Sequence, residues 1–253
     1  MGSSHWIRRM GMKGPGDIRL VCFPHAGGSV TFFAGLARAL APDVEVLGVQ
    51  YPGRQDRHRE QPVEEIPRMA DAVNEELGAI LSDGRPCAFF GHSMGALVAF
   101  EAALSLRGGQ PSKDLTRLFV SGRAAPLAGP RPGDRLSGDK ELLTELHRLG
   151  GVGKEVLDDP EMLSMIMPAV RADYRALATY GMTPGASLDC PVTVLTGEAD
   201  PIVSPEEAAQ WEGLTSAPTE VRVFPGGHFY LQDQVEQVAA AVRESLTWSG
   251  ART

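Results

Sequence analysis

Gly91-His92-Ser93-Met94-Gly95, preceded by the apolar run Cys87-Ala88-Phe89-Phe90 and followed by the helix-like stretch Ala96 to Leu106, decides how this chain is read. An apolar strand that passes into a helix through a serine, with a glycine two residues away on either side, describes a nucleophile elbow, a very tight strand-to-helix turn. Glycine permits such a turn because neighbouring backbone can approach without a Cβ in the way. The turn leaves the Ser93 hydroxyl exposed. It also sets the Met94 backbone N–H at a helix N-terminus, where an unpaired donor and the helix dipole favour an oxyanion. The pentapeptide alone also occurs in ordinary loops, so the rest of the chain must supply its partners.

A serine hydroxyl needs a base, and the base needs an orienting acid, in the chain order serine, acid, histidine. Val192 to Gly197 reads as a buried strand, and Asp200 lies just past it in Glu198-Ala199-Asp200-Pro201. A second strand, Glu220 to Phe224, breaks at Pro225-Gly226-Gly227, and His228 follows before a helix from about Gln234 to Leu246. The 28 residues from Asp200 to His228 hold one helix, Pro205 to Trp211, and that one strand. Both side chains then come from neighbouring loops on one edge of a parallel sheet. Plainer readings exist for each: Asp200 before Pro201 as a turn residue or cap, and His228 as a solvated loop histidine. Glu198 competes as the acid, but Asp200 sits further out on the loop, with Pro201 stiffening its approach. The joint order, each member at a strand end, is far more specific than any member and makes Ser93, Asp200 and His228 the candidate catalytic residues.

The first clear strand, Ile18 to Phe23, runs into Pro24-His25-Ala26-Gly27-Gly28-Ser29. This glycine-rich turn lies where the Ala26 N–H can supply a second oxyanion donor beside that of Met94. His25 and His92, both in turns, read as structural neighbours of the site rather than as bases. Strands and helices alternate through strand Ile18 to Phe23, helix Val30 to Leu40, strand Val44 to Gln50, helix Ile66 to Leu81 and strand Cys87 to Phe90. The pattern predicts an α/β fold with a mostly parallel central sheet flanked by helices. After a further strand, Leu115 to Ser121, alternation stops until Cys190. A Pro/Gly-rich linker, Ala124 to Gly138, opens this insertion, and two amphipathic stretches follow. Lys140 to Leu149 carries Leu142, Leu143, Leu146 and Leu149; about Pro160 to Tyr180 carries Met162, Leu163, Ile166, Met167 and Val170, with Pro168 expected to kink it. An insertion between the strand after the nucleophile and the acid-bearing strand sits over the active-site edge, which makes residues 124–185 or so a helical lid. Plain packing against the sheet explains the same apolar spacing. The 253 residues suit a single α/β domain, 1–253.

Composition narrows the function classes. With 43% hydrophobic and 22% charged residues the chain has no run of about eighteen apolar residues able to span a bilayer, so no membrane partner is expected. Met1 to Gly16 is polar, carries Arg8, Arg9 and Lys13, and lacks the apolar centre of a secretory signal. Cys22, Cys87 and Cys190 fall in or beside strands and read as buried small hydrophobes, which points to a reducing cytoplasm. Neither a CxxC nor clustered His/Cys spacing suggests a metal site, and no cofactor is expected. The net charge of −8 disfavours a nucleic-acid partner. Arg54, Arg57, His58 and Arg59 crowd one loop, read as a solvated run with contact to an acidic partner as the alternative.

Taken together, these residues resemble the stand-alone type II thioesterases of polyketide and non-ribosomal peptide synthesis, within the α/β-hydrolase superfamily. The likeness rests on Phe23-Pro24-His25-Ala26-Gly27-Gly28, Tyr51-Pro52-Gly53-Arg54, the elbow, Leu146-His147-Arg148-Leu149-Gly150-Gly151, Ala172-Asp173-Tyr174 and Gly227-His228-Phe229-Tyr230, spanning about Leu20 to Leu231. The first of these and those in the insertion are specific, since many esterases and lipases share the elbow. The head before Asp17 has no place in the pattern and is given no role. The resemblance implies an α/β-hydrolase fold and removal of stalled or aberrant acyl groups from the phosphopantetheine thiol of carrier proteins. Acyl or peptidyl carrier proteins are then the partners, and a monomer is the default expectation. Carrier domains are usually acidic, so docking is expected at a local basic or apolar rim near Arg54 or Arg123. An oxygen-ester carboxylesterase or lipase shares the triad, and a non-catalytic protein can share the fold. A chain-terminating cyclase domain normally follows a carrier domain, whose Asp-Ser-Leu motif is not found here.

Overall fold

A computed structural model of the chain describes residues 6–11, 16–107, 115–151 and 154–248; Lys13 and residues 1–5 of the polar head lie outside them. Seven strands form one sheet: β1 (Ile7–Met10), β2 (Ile18–Phe23), β3 (Val44–Val49), β4 (Cys87–His92), β5 (Leu115–Ser121), β6 (Val192–Gly197) and β7 (Thr219–Phe224). Their spatial order is β1-β3-β2-β4-β5-β6-β7, and every neighbouring pair is parallel except β1 with β3.

The central strands carry apolar runs such as Leu20 to Phe23 and Cys87 to Phe90 because both of their faces are covered. Alternate side chains of one strand enter different cores. Val21, Phe23 and Phe89 pack with Met69, Val73 and Leu77 of α2 (Ile66–Ile80) and with Leu97 and Phe100 of α3 (Met94–Arg107). Leu20, Cys22, Ala88 and Phe90 face the other way, toward Leu36 and Leu40 of α1 (Ala34–Leu40) and Val238 and Val242 of α9 (Val235–Trp248). The stretch expected as one helix from Val30 begins as a 3-10 turn, Val30–Phe33, before α1.

The head has a role that its sequence hid. Ile7 pairs with Val49 and Met10 with Val46, so residues 7–10 form the antiparallel edge of the sheet. Four residues rich in arginine give too short an apolar alternation to stand out. Contacts made only in the folded chain hold them: the Trp6 N–H donates to the Glu76 carboxylate at 3.0 Å, and the Arg57 guanidinium lies 4.9 Å from the Trp6 ring centroid. Arg54 and Arg57, expected to be solvated, are buried, whereas His58 and Arg59 are exposed. Arg57 donates to the Gln50 carbonyl at 2.7 Å and pairs with Glu60.

Between β5 and β6 the insertion contributes α4 (Asp139–Leu149), a short α5 (Lys154–Leu157) absent from the sequence reading, and α6 (Pro160–Thr179), which continues through Pro168. Leu142 and Leu146 meet Met167, Val170 and Tyr174 in a small core of their own, against which Ala26 packs. The first turns of α6 are more open than their spacing suggests, with Met162 46% exposed. A last pair of helices, α7 (Pro205–Ala209) and α8 (Tyr230–Asp233), lies in the loops around β7. Strand order reverses at β2, with β3 on one side and β4 on the other, so the loops leaving β2 and β4 part there and open a crevice at their C-terminal ends.

Candidate active site

Ser93 stands at the end of β4 with φ of 54°, in the left-handed region where a side-chain-bearing residue is strained. The flanking glycines explain how that turn is tolerated. A Cβ on Gly91 would lie 2.3 Å from the Gly95 carbonyl oxygen, and one on Gly95 would lie 2.0 Å from that of Phe23. The second contact presses the elbow onto the end of β2, bringing the Ala26 turn beside the start of α3. Gly95→Ala therefore forces backbone against backbone and is expected to lower stability by roughly 3 kcal/mol. A urea-unfolding midpoint equal to that of the wild type would contradict this. Among the described residues no hydrogen bond uses the N–H of Met94 or Ala26.

β6 and β7 bring the acid and the imidazole together. A Cβ on Gly197 would meet the Gly227 carbonyl at 2.3 Å, so the two strand ends close tightly. Asp200 Oδ2 bonds His228 Nδ1 at 2.8 Å, with both side chains almost fully buried, and Asp200 Oδ1 accepts the Ile202 N–H at 2.8 Å. The competing Glu198 is exposed. Ser93 and His228 flank one backbone step: the Ser93 N–H donates to the Ser121 carbonyl at 2.8 Å, and a Cβ on Gly122 would lie 3.1 Å from His228 Cε1.

His25 and His92 support this layer from below. The ring centroid of His92 lies 5.0 Å from that of His228, and its Nδ1 is 2.9 Å from Ser121 Oγ, which is 2.6 Å from the Tyr230 hydroxyl. His25 stacks edge-on against Phe32 and Phe229. Burial, reinforced by the nearby His228, pushes His25 down to about 3 and His92 well below its usual range. Both imidazoles are thus held neutral in the fold. A histidine whose pKa is lowered by folding stabilises fully above its unfolded value and loses that contribution as pH falls below it. His25, held at about 3, should cost roughly 2 kcal/mol between neutrality and about pH 5. Urea unfolding at both pH values should show that slope, and a His25→Gln chain should show a shallower one; equal slopes would refute the assignment.

Ser93 and Ala26 open onto a cavity of about 200 Å³ whose other walls include Arg123, Arg148, Tyr174 and Leu177. Arg148 comes from α4, and Tyr174 and Leu177 from α6, so the insertion roofs the serine. Hollows beside Arg117 and Glu244 and beside Glu64 and Arg175 contain none of the candidate catalytic groups. The rim expected near Arg54 or Arg123 requires correction, because neither guanidinium reaches the surface. Arg123 is locked in a two-pronged pair with Asp134, at 2.7 Å for each bond, and Arg54 is paired with Asp173. Arg148, 45% exposed and paired with Glu145, is the more open cation of this cavity.

Asp173 is a functional candidate that reasoning from the residues assigned no role. Wholly buried on α6, it accepts the Gly27 N–H at 2.7 Å. A signal was present: a carboxylate among Met167, Val170, Tyr174 and Leu177, on the apolar side of an amphipathic helix. Among the described residues no cluster of His, Cys, Asp or Glu is arranged to hold a metal, and no helix is long and apolar enough to cross a membrane.

Residues 18–246 match the model of the thioesterase domain. Thioesterase PikA5 of Streptomyces venezuelae is 43% identical over 250 residues, covering 96% of this chain and 86% of that protein. A probable cadicidin biosynthesis thioesterase of Streptomyces griseus is 42% identical over 244 residues, of which this chain spans 66% of the length. Among solved structures, the type II thioesterase BorB from the borrelidin biosynthetic cluster superposes with a TM-score of 0.85 at 42% identity, covering 97% of this chain and 99% of that one. YbtT, a type II thioesterase of the yersiniabactin pathway, superposes with a TM-score of 0.85 at 28% identity, covering 96% and 99%.

Proposed function

Because the chain belongs to the thioesterase family, we propose that it hydrolyses acyl thioesters carried on the phosphopantetheine arm of acyl or peptidyl carrier proteins, removing stalled or aberrant groups. The observation that carries this reading is the buried Asp200–His228 hydrogen bond at the strand ends beside the left-handed Ser93. In the proposed reaction His228 accepts the Ser93 proton as Oγ attacks the thioester carbonyl, while Asp200 fixes the imidazole tautomer and steadies the imidazolium. The Ala26 and Met94 N–H groups receive the oxyanion; one such donor typically contributes roughly 3–4 kcal/mol to the transition state. The carbon–sulfur bond breaks and the thiol leaves with the proton from His228. His228 then takes a proton from water, which attacks the acyl-Ser93 ester; the carbon–Oγ bond breaks, His228 returns the proton to Ser93 Oγ, and the acid is released. A thiol leaves more readily than an amine, so little general-acid assistance is needed.

The deciding experiment loads a carrier protein with acetyl-phosphopantetheine and follows deacylation by intact mass, beside a matched oxygen ester. Faster loss from the carrier than from the oxygen ester is the expected result. Hydrolysis of the oxygen ester alone would replace the proposal with a general esterase.

A further inference from the structure

We propose that Asp173 is a positioning residue: from α6 of the insertion it holds the Gly27 N–H, and through that peptide the adjacent Ala26 donor, so that the oxyanion site is complete only while α6 is seated. The proposal rests on the reading of Ser93 and Ala26 given above. Gly27 has φ of 73°, and its preceding peptide carries the Ala26 carbonyl on one edge and the Gly27 N–H on the other. Rotation of that peptide would carry the Ala26 carbonyl to the side where the Gly27 N–H now meets the Asp173 carboxylate, and would displace the Ala26 backbone that bears the donor. The Asp173 carboxylate prevents the rotation by accepting the N–H at 2.7 Å. Val170, one turn earlier on α6, closes the other side, since a Cβ on Gly27 would lie 2.9 Å from its Cγ2.

Arg54 fixes the carboxylate in turn. Its guanidinium pairs with Asp173, donates to the Pro52 carbonyl at 2.7 Å and lies 5.1 Å from the Tyr51 ring centroid. Gln50 spans the same two loops, donating to the Arg54 carbonyl at 3.2 Å and accepting the Val30 N–H at 3.1 Å. The loop after β3, the turn after β2 and the insertion therefore meet at one buried ion pair. Stability alone does not account for it. Among the described residues Asp173 Oδ1 is buried without a partner, and burial raises the Asp173 pKa despite the neighbouring Arg54. A buried pair of that kind is often no more stabilising than apolar residues of the same volume.

The test compares wild type, Asp173→Asn, Asp173→Ala and the double variant Arg54→Met/Asp173→Ala, which leaves no unpaired ion if the single alanine chain does not fold. Amide hydrogen exchange at Gly27 and steady-state thioester kinetics are measured on each. Asp173→Ala and the double variant should lose Gly27 protection and about 10- to 100-fold in kcat, with KM within about twofold, because the missing interaction serves the transition state. Asp173→Asn keeps an acceptor oxygen and should fall between these and wild type. Unchanged Gly27 exchange in the alanine chains overturns the proposal, as does protection lost equally across the whole protein or an asparagine chain no better than alanine. Turnover that survives in Ser93→Ala would instead overturn the underlying reading of the site, and the exchange measurement does not depend on that result.

Discussion

Ser93→Ala is expected to lower carrier deacylation by roughly 10⁴-fold or more, leaving only the slow turnover that binding and oxyanion stabilisation support without a nucleophile. The fold should survive, since alanine relieves no contact and Ser93 occupies its left-handed backbone position through the flanking glycines and the Ser121 carbonyl. A fluorophosphonate should label wild type at one serine and leave the alanine chain unlabelled. Turnover within about tenfold of wild type would remove Ser93 from the mechanism, because loss of the nucleophile cannot cost so little.

Asp200→Asn is expected to cost about 10⁴-fold in kcat at neutral pH with the geometry nearly intact. The carboxylate accepts from His228 Nδ1 at 2.8 Å, which leaves Nε2 free of a proton and able to take one from the serine. An asparagine amide facing Nδ1 can donate instead, which moves the proton to Nε2 and removes the base. Because Ile202 N–H already holds the other carboxylate oxygen, the side chain has little freedom to rotate away. Glu198→Gln provides the control. That residue is exposed and should turn over substrate at close to the wild-type rate. A reversed outcome, with Glu198→Gln inactive and Asp200→Asn active, would transfer the acid role along the loop.

Much of this arrangement is local, and local features are written in the sequence. The elbow depends on glycines two residues either side of Ser93, and the clashes of 2.3 and 2.0 Å that a Cβ would meet explain why those positions must be small. The strands that carry Ala26, Ser93 and Asp200 are short apolar runs ended by turn residues, so their ends, and hence the crevice edge, follow from pattern and from the handedness of βαβ connections. Family membership followed from the same stretches, joined by motifs in the insertion.

Charge and long-range pairing were decided elsewhere. Arg54 and Arg57 look like a solvated basic run because sequence neighbours carry charge too; only the tertiary fold supplies Asp173, 119 residues away from Arg54, and the Gln50 carbonyl and Trp6 ring for Arg57. Residues 7–10 become a strand because β3 offers an open edge, not because four residues prefer extended backbone. The sequence by itself determined the α/β order, the elbow and the positions of Asp200 and His228, since each rests on backbone constraints within a few residues. The tertiary structure alone decided which charges are buried and how the insertion grips the Gly27 turn, since burial and ion pairing depend on segments that meet only after the chain has folded.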